Sequence, residues 1–342
     1  MTFITLFTAL GITYLIQTEK ISVVLYNTKT SESKFYNYSS WDILDKAYEH
    51  LDEQEYGKAR TLIRSLKDNT EFNSAFDINY IDGLNYMDVG NYYKAVENFN
   101  TIIEESSLGE VGYTYINAYL NRGRSYHELF ESGDRTLLNK TIDDYEIVLE
   151  NIAPMSPENE NSTIRQELYY NLYLLYSYLE DYQAAFDCIY MLEDEQDAGE
   201  ISYEFADLYL RTNELDKALD MIKKSVEDYG DEDFDVLELW VRYYLKTNSN
   251  RKALRSIEKM EAQELTPYME YRVMRSKVNY YAAGYLMPKA KALLSEIIEF
   301  NYYSIYDQDI KNHLARLDID ASKIEKINKD ALEESKSFQI NK

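Results

Sequence analysis

The sequence predicts an all-α fold, a right-handed α-solenoid of about seven antiparallel helix pairs preceded by a short apolar segment. Two observations carry that expectation. Glycine (11) and proline (4) are scarce in 342 residues, whereas Asp, Glu, Lys, Leu and Ala are plentiful, as in helices joined by short turns. An alanine also recurs along the chain as Ala59, Ala95, Ala185, Ala218, Ala253 and Ala290, with Thr141 standing in for one member. Successive members lie 36, 46, 44, 33, 35 and 37 residues apart, so four of the six steps sit close to one period. Apolar residues make up 45% of the chain and aromatic residues 14%, enough to bury a core. Disorder requires the opposite balance.

Taken in chain order, residues 1–20 form the apolar segment and a candidate membrane anchor. Residues 2–16 read TFITLFTALGITYLI without a charge. As a helix they would span about 22 Å, short of a hydrocarbon core of about 30 Å. No basic residue precedes them and no small-residue cleavage site follows. Membrane association is the leading expectation, beside an uncleaved export segment or an apolar helix packed on the array in a cytoplasmic protein. Lys20, Lys29 and Lys34 follow the run and favour a cytoplasmic C-terminal side, whereas a signal anchor would place it outside. Residues 21–39, rich in β-formers at Ile21–Tyr26 and Lys34–Tyr38, read as an extended linker or small hairpin. Residues 40–300 are the repeat array. Residues 301–342 read as capping helices and a polar tail, closing the last apolar face.

The clearest repeat runs from Phe76 to Glu105 and carries Gly83, Tyr86, Gly90, Tyr92, Ala95, Phe99 and Ile102. Gly83 and Ala95 let two helix backbones approach, Tyr86, Phe99 and Ile102 fill the crossing, and Gly90-Asn91 supplies the turn. A tyrosine recurs in the first helix as Tyr86, Tyr126, Tyr176, Tyr209, Tyr244 and Tyr281. The first copy has His50 there, and only Gly83 and Gly123 keep the first-helix glycine, Tyr173 standing where a small residue is expected. The two long steps flank the Thr141 copy: an insertion around Phe130–Lys140 and the loop 151–163 with Pro154 and Pro157. This pattern resembles the tetratricopeptide repeat family, whose 34-residue unit is a helix-turn-helix with a small residue at the crossing. The resemblance covers roughly three-quarters of the chain.

Chemistry is hardly signalled. His50, His127 and His313 lie far apart and outside any HExxH pattern. No glycine-rich phosphate loop and no GxSxG occurs. Cys188 is the one cysteine, which excludes an internal disulfide and a thiolate cluster, and its neighbours Ala185 and Ile189 place it in the core. With 61 acidic residues, carboxylate pairs carry no information about acid–base work. No enzyme activity, no cofactor and no metal are expected. A net charge of -25 disfavours nucleic acid, which would be repelled, and permits basic partners.

The resemblance implies a non-enzymatic scaffold or adaptor that binds a protein or peptide on a concave face lined by the first helix of each unit. The candidate partner-binding residues on that face are Asn121, Arg124, Asn171, Arg242, Arg272, Arg275 and Asn279. In some family members Asn, Lys and Arg there hold a peptide carboxylate, through charge-assisted hydrogen bonds. Here lysine is missing from the set, and Glu167, Glu200 and Asp235 stand beside it. Arg242, Arg272 and Arg275 either face a ligand or pair with acids across the seam. Among the 35 tyrosines, Tyr169-Tyr170, Tyr280 and Tyr302-Tyr303 are surplus to packing and are candidates for a peptide groove. A soluble peptide-sensing regulatory module and a structural accessory subunit of an envelope or secretion complex are the alternatives.

Overall fold

The computed structural model describes residues 4–7, 12–17, 20–26, 33–38, 40–66, 75–105, 108–152, 158–195, 201–300 and 308–316. Among them, seven helix pairs follow one another, as the recurring alanine predicts. They are α1 (Ser40–Asp52) with α2 (Tyr56–Arg64), α3 (Ala75–Asp88) with α4 (Tyr92–Glu105), and α5 (Leu108–Glu131) with α6 (Leu138–Asn151). There follow α7 (Glu158–Tyr178) with α8 (Tyr182–Glu195) and α9 (Ser202–Arg211) with α10 (Leu215–Tyr229). The last are α11 (Phe234–Lys246) with α12 (Asn250–Glu261) and α13 (Pro267–Ala283) with α14 (Met287–Phe300); α15 (Gln308–Arg316) comes after them. The first three pairs belong to one compact unit and the last four, with α15, to a second.

Every member of the alanine series, Thr141 included, is completely buried. Thr141 fits because its hydroxyl donates to the Leu137 carbonyl of its own helix at 3.0 Å, leaving the methyl for the crossing. A Cβ at Gly83 would lie 2.7 Å from the Phe99 ring, and one at Gly123 would lie 2.9 Å from the Tyr145 ring. The two retained glycines therefore mark where a large aromatic seats against the facing backbone. Tyr173, at a small-residue position, is buried and turns its hydroxyl to Asp207 of α9 at 3.2 Å.

The turns inside the pairs share one geometry. Gln54, Gly90, Glu180, Asn213, Asn248 and Tyr285 all have φ between 55° and 69°. In each turn the next N–H reaches back to the carbonyl of the recurring aromatic position: Glu55 to His50, Asn91 to Tyr86, Asp181 to Tyr176, Glu214 to Tyr209, Ser249 to Tyr244, Leu286 to Tyr281. These are left-handed helix caps of the Schellman type, and only Gly90 announced one. The third pair, with its insertion, closes instead through Gly133 and a 3-10 turn at Arg135–Leu137. A lysine stacks on the same tyrosine across the turn, at 5.4 Å for Tyr86–Lys94, 5.2 Å for Tyr209–Lys217, 5.4 Å for Tyr244–Lys252 and 5.6 Å for Tyr281–Lys289. Each such contact is worth about 0.5–1 kcal/mol.

Tyr285 holds φ 59° with its side chain 83% exposed, so its ring gains little and its Cβ is strained. Tyr285→Gly is expected to raise stability by about 0.5–1 kcal/mol, the relief of strain exceeding the entropy that glycine adds to the unfolded chain. A urea titration checks this; a lower midpoint would mean that the turn does not need a left-handed residue.

The N-terminal stretch corrects the expected helix. Ile4–Phe7 (β1), Ile12–Gln17 (β2), Lys20–Tyr26 (β3) and Ser33–Tyr38 (β4) form a four-stranded antiparallel sheet in the order β1-β2-β3-β4. Ile4 pairs with Ile16, Gln17 with Lys20, and Ile21 with Tyr38. The run 2–16 is therefore strand over most of its length, because its Ile, Thr, Tyr and Phe favour a pleated backbone over a helical one. Among the described residues no helix is long and apolar enough to cross a membrane. The Pro154/Pro157 segment, Glu200, Tyr302-Tyr303 and the polar tail lie outside the described residues.

Candidate functional site

In the second unit the first helices α7, α9, α11 and α13 present their polar residues to one another at one-repeat spacing. Asp207 on α9 is buried and takes two arginines: Arg211, one turn on, at 2.7 Å, and Arg242 of α11. Glu238 on α11 is buried between two more. Arg272 donates to it from Nε at 3.0 Å and also from Nη2, and Arg275 at 2.7 Å. Asn279 Oδ1 accepts from His313 Nε2 of α15 at 2.6 Å. Residues 34, 35, 34, 37 and 34 positions apart are thereby joined, from Tyr173–Asp207 to Asn279–His313.

Burial alone would raise both carboxyls, but the paired arginines outweigh it. Arg242 and Arg211 hold Asp207 well below the usual carboxylate range, and Arg275 and Arg272 lower Glu238. Both acids are therefore ionised in the fold, and each is matched by two hydrogen-bonded guanidiniums.

This arrangement locates the expected site residues. Arg242, Arg272 and Arg275 do not converge on a shared carboxylate pocket: the first belongs to Asp207 and the other two to Glu238. Asn171 is half-buried on α7. Asn121 and Arg124 belong to the first unit, where Asn121 is buried, reaches the Tyr80 hydroxyl at 3.4 Å, and receives Arg124 at 3.5 Å. Ties of the same kind in that unit include Arg60 to Asp82 and Asn85 at 2.8 Å each, and Arg122 to Asp144 at 2.6 Å.

The exposed features of the first-helix face are different residues. Tyr170 and Leu174, one turn apart on α7, are 44% and 42% exposed. Of the surplus tyrosines, Tyr170 therefore stands out to solvent, whereas Tyr169 and Tyr280 are half-buried. Tyr268 on α13 is more open still, and its ring faces Arg272 at 5.7 Å. Glu204, one turn before Asp207 on α9, keeps its Oε2 shielded from solvent with no hydrogen-bond partner. Burial is the main reason its carboxyl is pushed up to about 7, with Asp207 and Asp235 adding to the rise against its own backbone N–H. Sequence reasoning passed over Asp207, Glu238 and Glu204. An acid one repeat away from each candidate arginine was the available signal for the first two.

A carboxyl raised in the fold favours folding where it is protonated, so wild type loses stability as pH climbs from about 4.5 to about 7. Glu204→Gln is expected to stabilise the chain by about 1–2 kcal/mol at pH 8 and to leave it nearly unchanged at pH 5. Thermal unfolding at the two pH values measures this; equal shifts at both would contradict the burial of that charge.

Among the described residues one group could hold a metal by composition, His50 with Glu53 and Glu55. It is explained without an ion: His50 Nδ1 meets Glu55 at 2.8 Å, and Lys58 takes the other Glu55 oxygen at 2.5 Å.

Comparison with solved structures places this architecture. A tetratricopeptide repeat protein from Parabacteroides merdae is similar at 18% identity and a TM-score of 0.53, over 80% of this chain and 98% of that one. The C-terminal part of a TPR repeat-containing protein from Cytophaga hutchinsonii matches 75% of this chain and 95% of its own at 14% identity and a TM-score of 0.46. A thermophilic TPR protein from Thermus thermophilus covers 61% of this chain and 100% of its own at 20% identity, with a TM-score of 0.35. No protein-family model matches the sequence, and neither does any curated protein. The fold is a tetratricopeptide-like helical repeat.

Proposed function

We propose that the chain is a non-enzymatic interaction scaffold that binds an extended or helical protein segment along the first-helix face of its second unit. One observation carries the reading. On a face whose arginines are bound to buried acids, Tyr170 and Leu174 stay 44% and 42% exposed side by side on α7. Large apolar groups left open beside a fixed polar frame are what a partner segment covers, and aromatic residues anchor such contacts. The same face is the concave, ligand-lined one in tetratricopeptide arrays.

The test is a selection of displayed random peptides on the full-length chain. Peptides recovered on wild type are expected to lose binding to Leu174→Glu, which places a charge in the middle of the exposed step. Selected peptides that bind both forms equally would place recognition elsewhere.

A further inference from the structure

We propose that this face recognises a cationic side chain, a lysine or arginine of the partner segment, in an anionic aromatic recess made by Tyr170, Glu204, Asp235 and Tyr268. The inference rests on the peptide-binding reading above and specifies the ligand's chemistry. Four successive first helices contribute to the recess. Each member stands one helical turn before a residue of the hydrogen-bonded layer, Tyr170 before Tyr173 on α7, Glu204 before Asp207 on α9, Asp235 before Glu238 on α11 and Tyr268 before Arg272 on α13, so the ties between those helices bring the four together. Glu204, Asp235 and Tyr268 all act on the Tyr170 phenol, in keeping with that placement. Tyr170 also packs on Tyr173 at 6.0 Å, whose hydroxyl joins Asp207. At the other end, Arg272 sits under the Tyr268 ring and holds Asp235 at 2.6 Å. Both tyrosines are open to solvent, Tyr170 at 44% and Tyr268 at 63% exposure.

The charge balance decides the sign of the ligand. Arg211 and Arg242 belong to Asp207, and Arg272 and Arg275 to Glu238, so the cations near the recess already have counter-charges. Glu204 does not: its shielded Oε2 has no hydrogen-bond partner. An arriving ammonium or guanidinium would supply Glu204 with the counter-charge and the hydrogen-bond donor that it lacks. The open tyrosine faces add a cation–π contact. An anionic segment would meet the unmatched Glu204 and a chain of net charge -25.

The experiment titrates full-length protein into three end-blocked fluorescent peptides, (Lys-Ala)5, (Gln-Ala)5 and (Glu-Ala)5. The lysine peptide is expected to bind best. Its affinity should fall about fivefold or more in Glu204→Gln and in Tyr170→Ala. It should stay unchanged in Asp216→Asn, which removes the same unit charge from an exposed site on α10. Wild-type affinity should also rise between about pH 6 and pH 8 as Glu204 ionises, and that rise should vanish in Glu204→Gln. Equal losses in Glu204→Gln and Asp216→Asn would reduce the effect to diffuse attraction and overturn the proposal. So would failure of the lysine peptide to bind, or tighter binding of the glutamate peptide. If the glutamate peptide binds and Leu174→Glu releases it, the basic ligand is wrong while the peptide-binding face stands. If displayed peptides ignore Leu174→Glu, the face itself fails.

Discussion

Glu238→Gln lowers the stability of the second unit by about 3–5 kcal/mol at pH 7, the cost of breaking a buried ion pair from one side. The carboxylate is 3% exposed and receives three hydrogen bonds from Arg272 and Arg275, themselves only 12% and 22% exposed as side chains. An amide of the same shape keeps one acceptor oxygen but removes the charge, leaving two guanidiniums partly desolvated. Because folding lowers this carboxyl, its contribution is present above the unfolded value near 4.5 and is lost as pH falls through the folded one. The gap between wild type and variant therefore closes in acid. Replacing the trio together, as Glu238→Leu with Arg272→Met and Arg275→Leu, is expected to restore at least about 2 kcal/mol of the loss, since no lone charge is then buried. Urea unfolding of the variants at pH 7 and pH 4 checks both statements; a triple variant no better than Glu238→Gln would show that the trio acts by more than mutual neutralisation.

Phe99→Ala costs the first unit about 3–5 kcal/mol. The ring is fully buried, packs edge-on to Tyr80 at 6.2 Å, and fills the space that Gly83 leaves open. Gly83→Ala tests the same crossing from the other side. Alanine gains about 1 kcal/mol of helix propensity. Its Cβ falls 2.7 Å from a ring that has no free side to move towards, and overpacking of that kind costs about 1–3 kcal/mol. A net loss is expected in wild type, and a net gain in a Phe99→Leu background, where the ring is gone. The difference is a coupling energy, read from a double-mutant cycle by chemical denaturation. Additive effects would mean that Gly83 and Phe99 do not share the crossing.

The repeat was legible because its requirement falls on single residues. A helix crossing this close accepts a small side chain and little else, so Ala59, Ala95, Ala218 and their counterparts show the period directly. The turn caps were less legible, since Gln54, Glu180 and Tyr285 hold left-handed backbone without being glycine, at a cost that the surrounding pair absorbs. The strands Ile4–Phe7 and Ile12–Gln17 were hidden because length and hydropathy alone favour a helix for an uncharged run. Its content of Ile, Thr and Tyr was the better guide. At the site, the arginines were found and their partners were not. Asp207 and Arg242 lie 35 residues apart, and Glu238 and Arg272 lie 34 apart, a pairing invisible until the chain is folded back by one repeat. Glu204 gives no sequence signal at all, because what distinguishes it is a shielded carboxylate oxygen without a partner.

Structural arginines beside an unmatched glutamate make opposite demands on the same face. The Asp207 and Glu238 ties hold successive first helices in register, so their loss weakens the fold. Glu204 weakens the fold by being there, and its removal strengthens it. Retaining such a group is the expected trade between stability and recognition.

Amide hydrogen exchange of the full-length chain, with and without the (Lys-Ala)5 peptide, tests that division most directly. At a peptide concentration near the wild-type Kd, slowed exchange is expected in the first helices α7, α9, α11 and α13, unchanged exchange in α8, α10, α12 and α14, and clearly weaker slowing in Glu204→Gln. Protection confined to the second helices, or undiminished in Glu204→Gln, would contradict it.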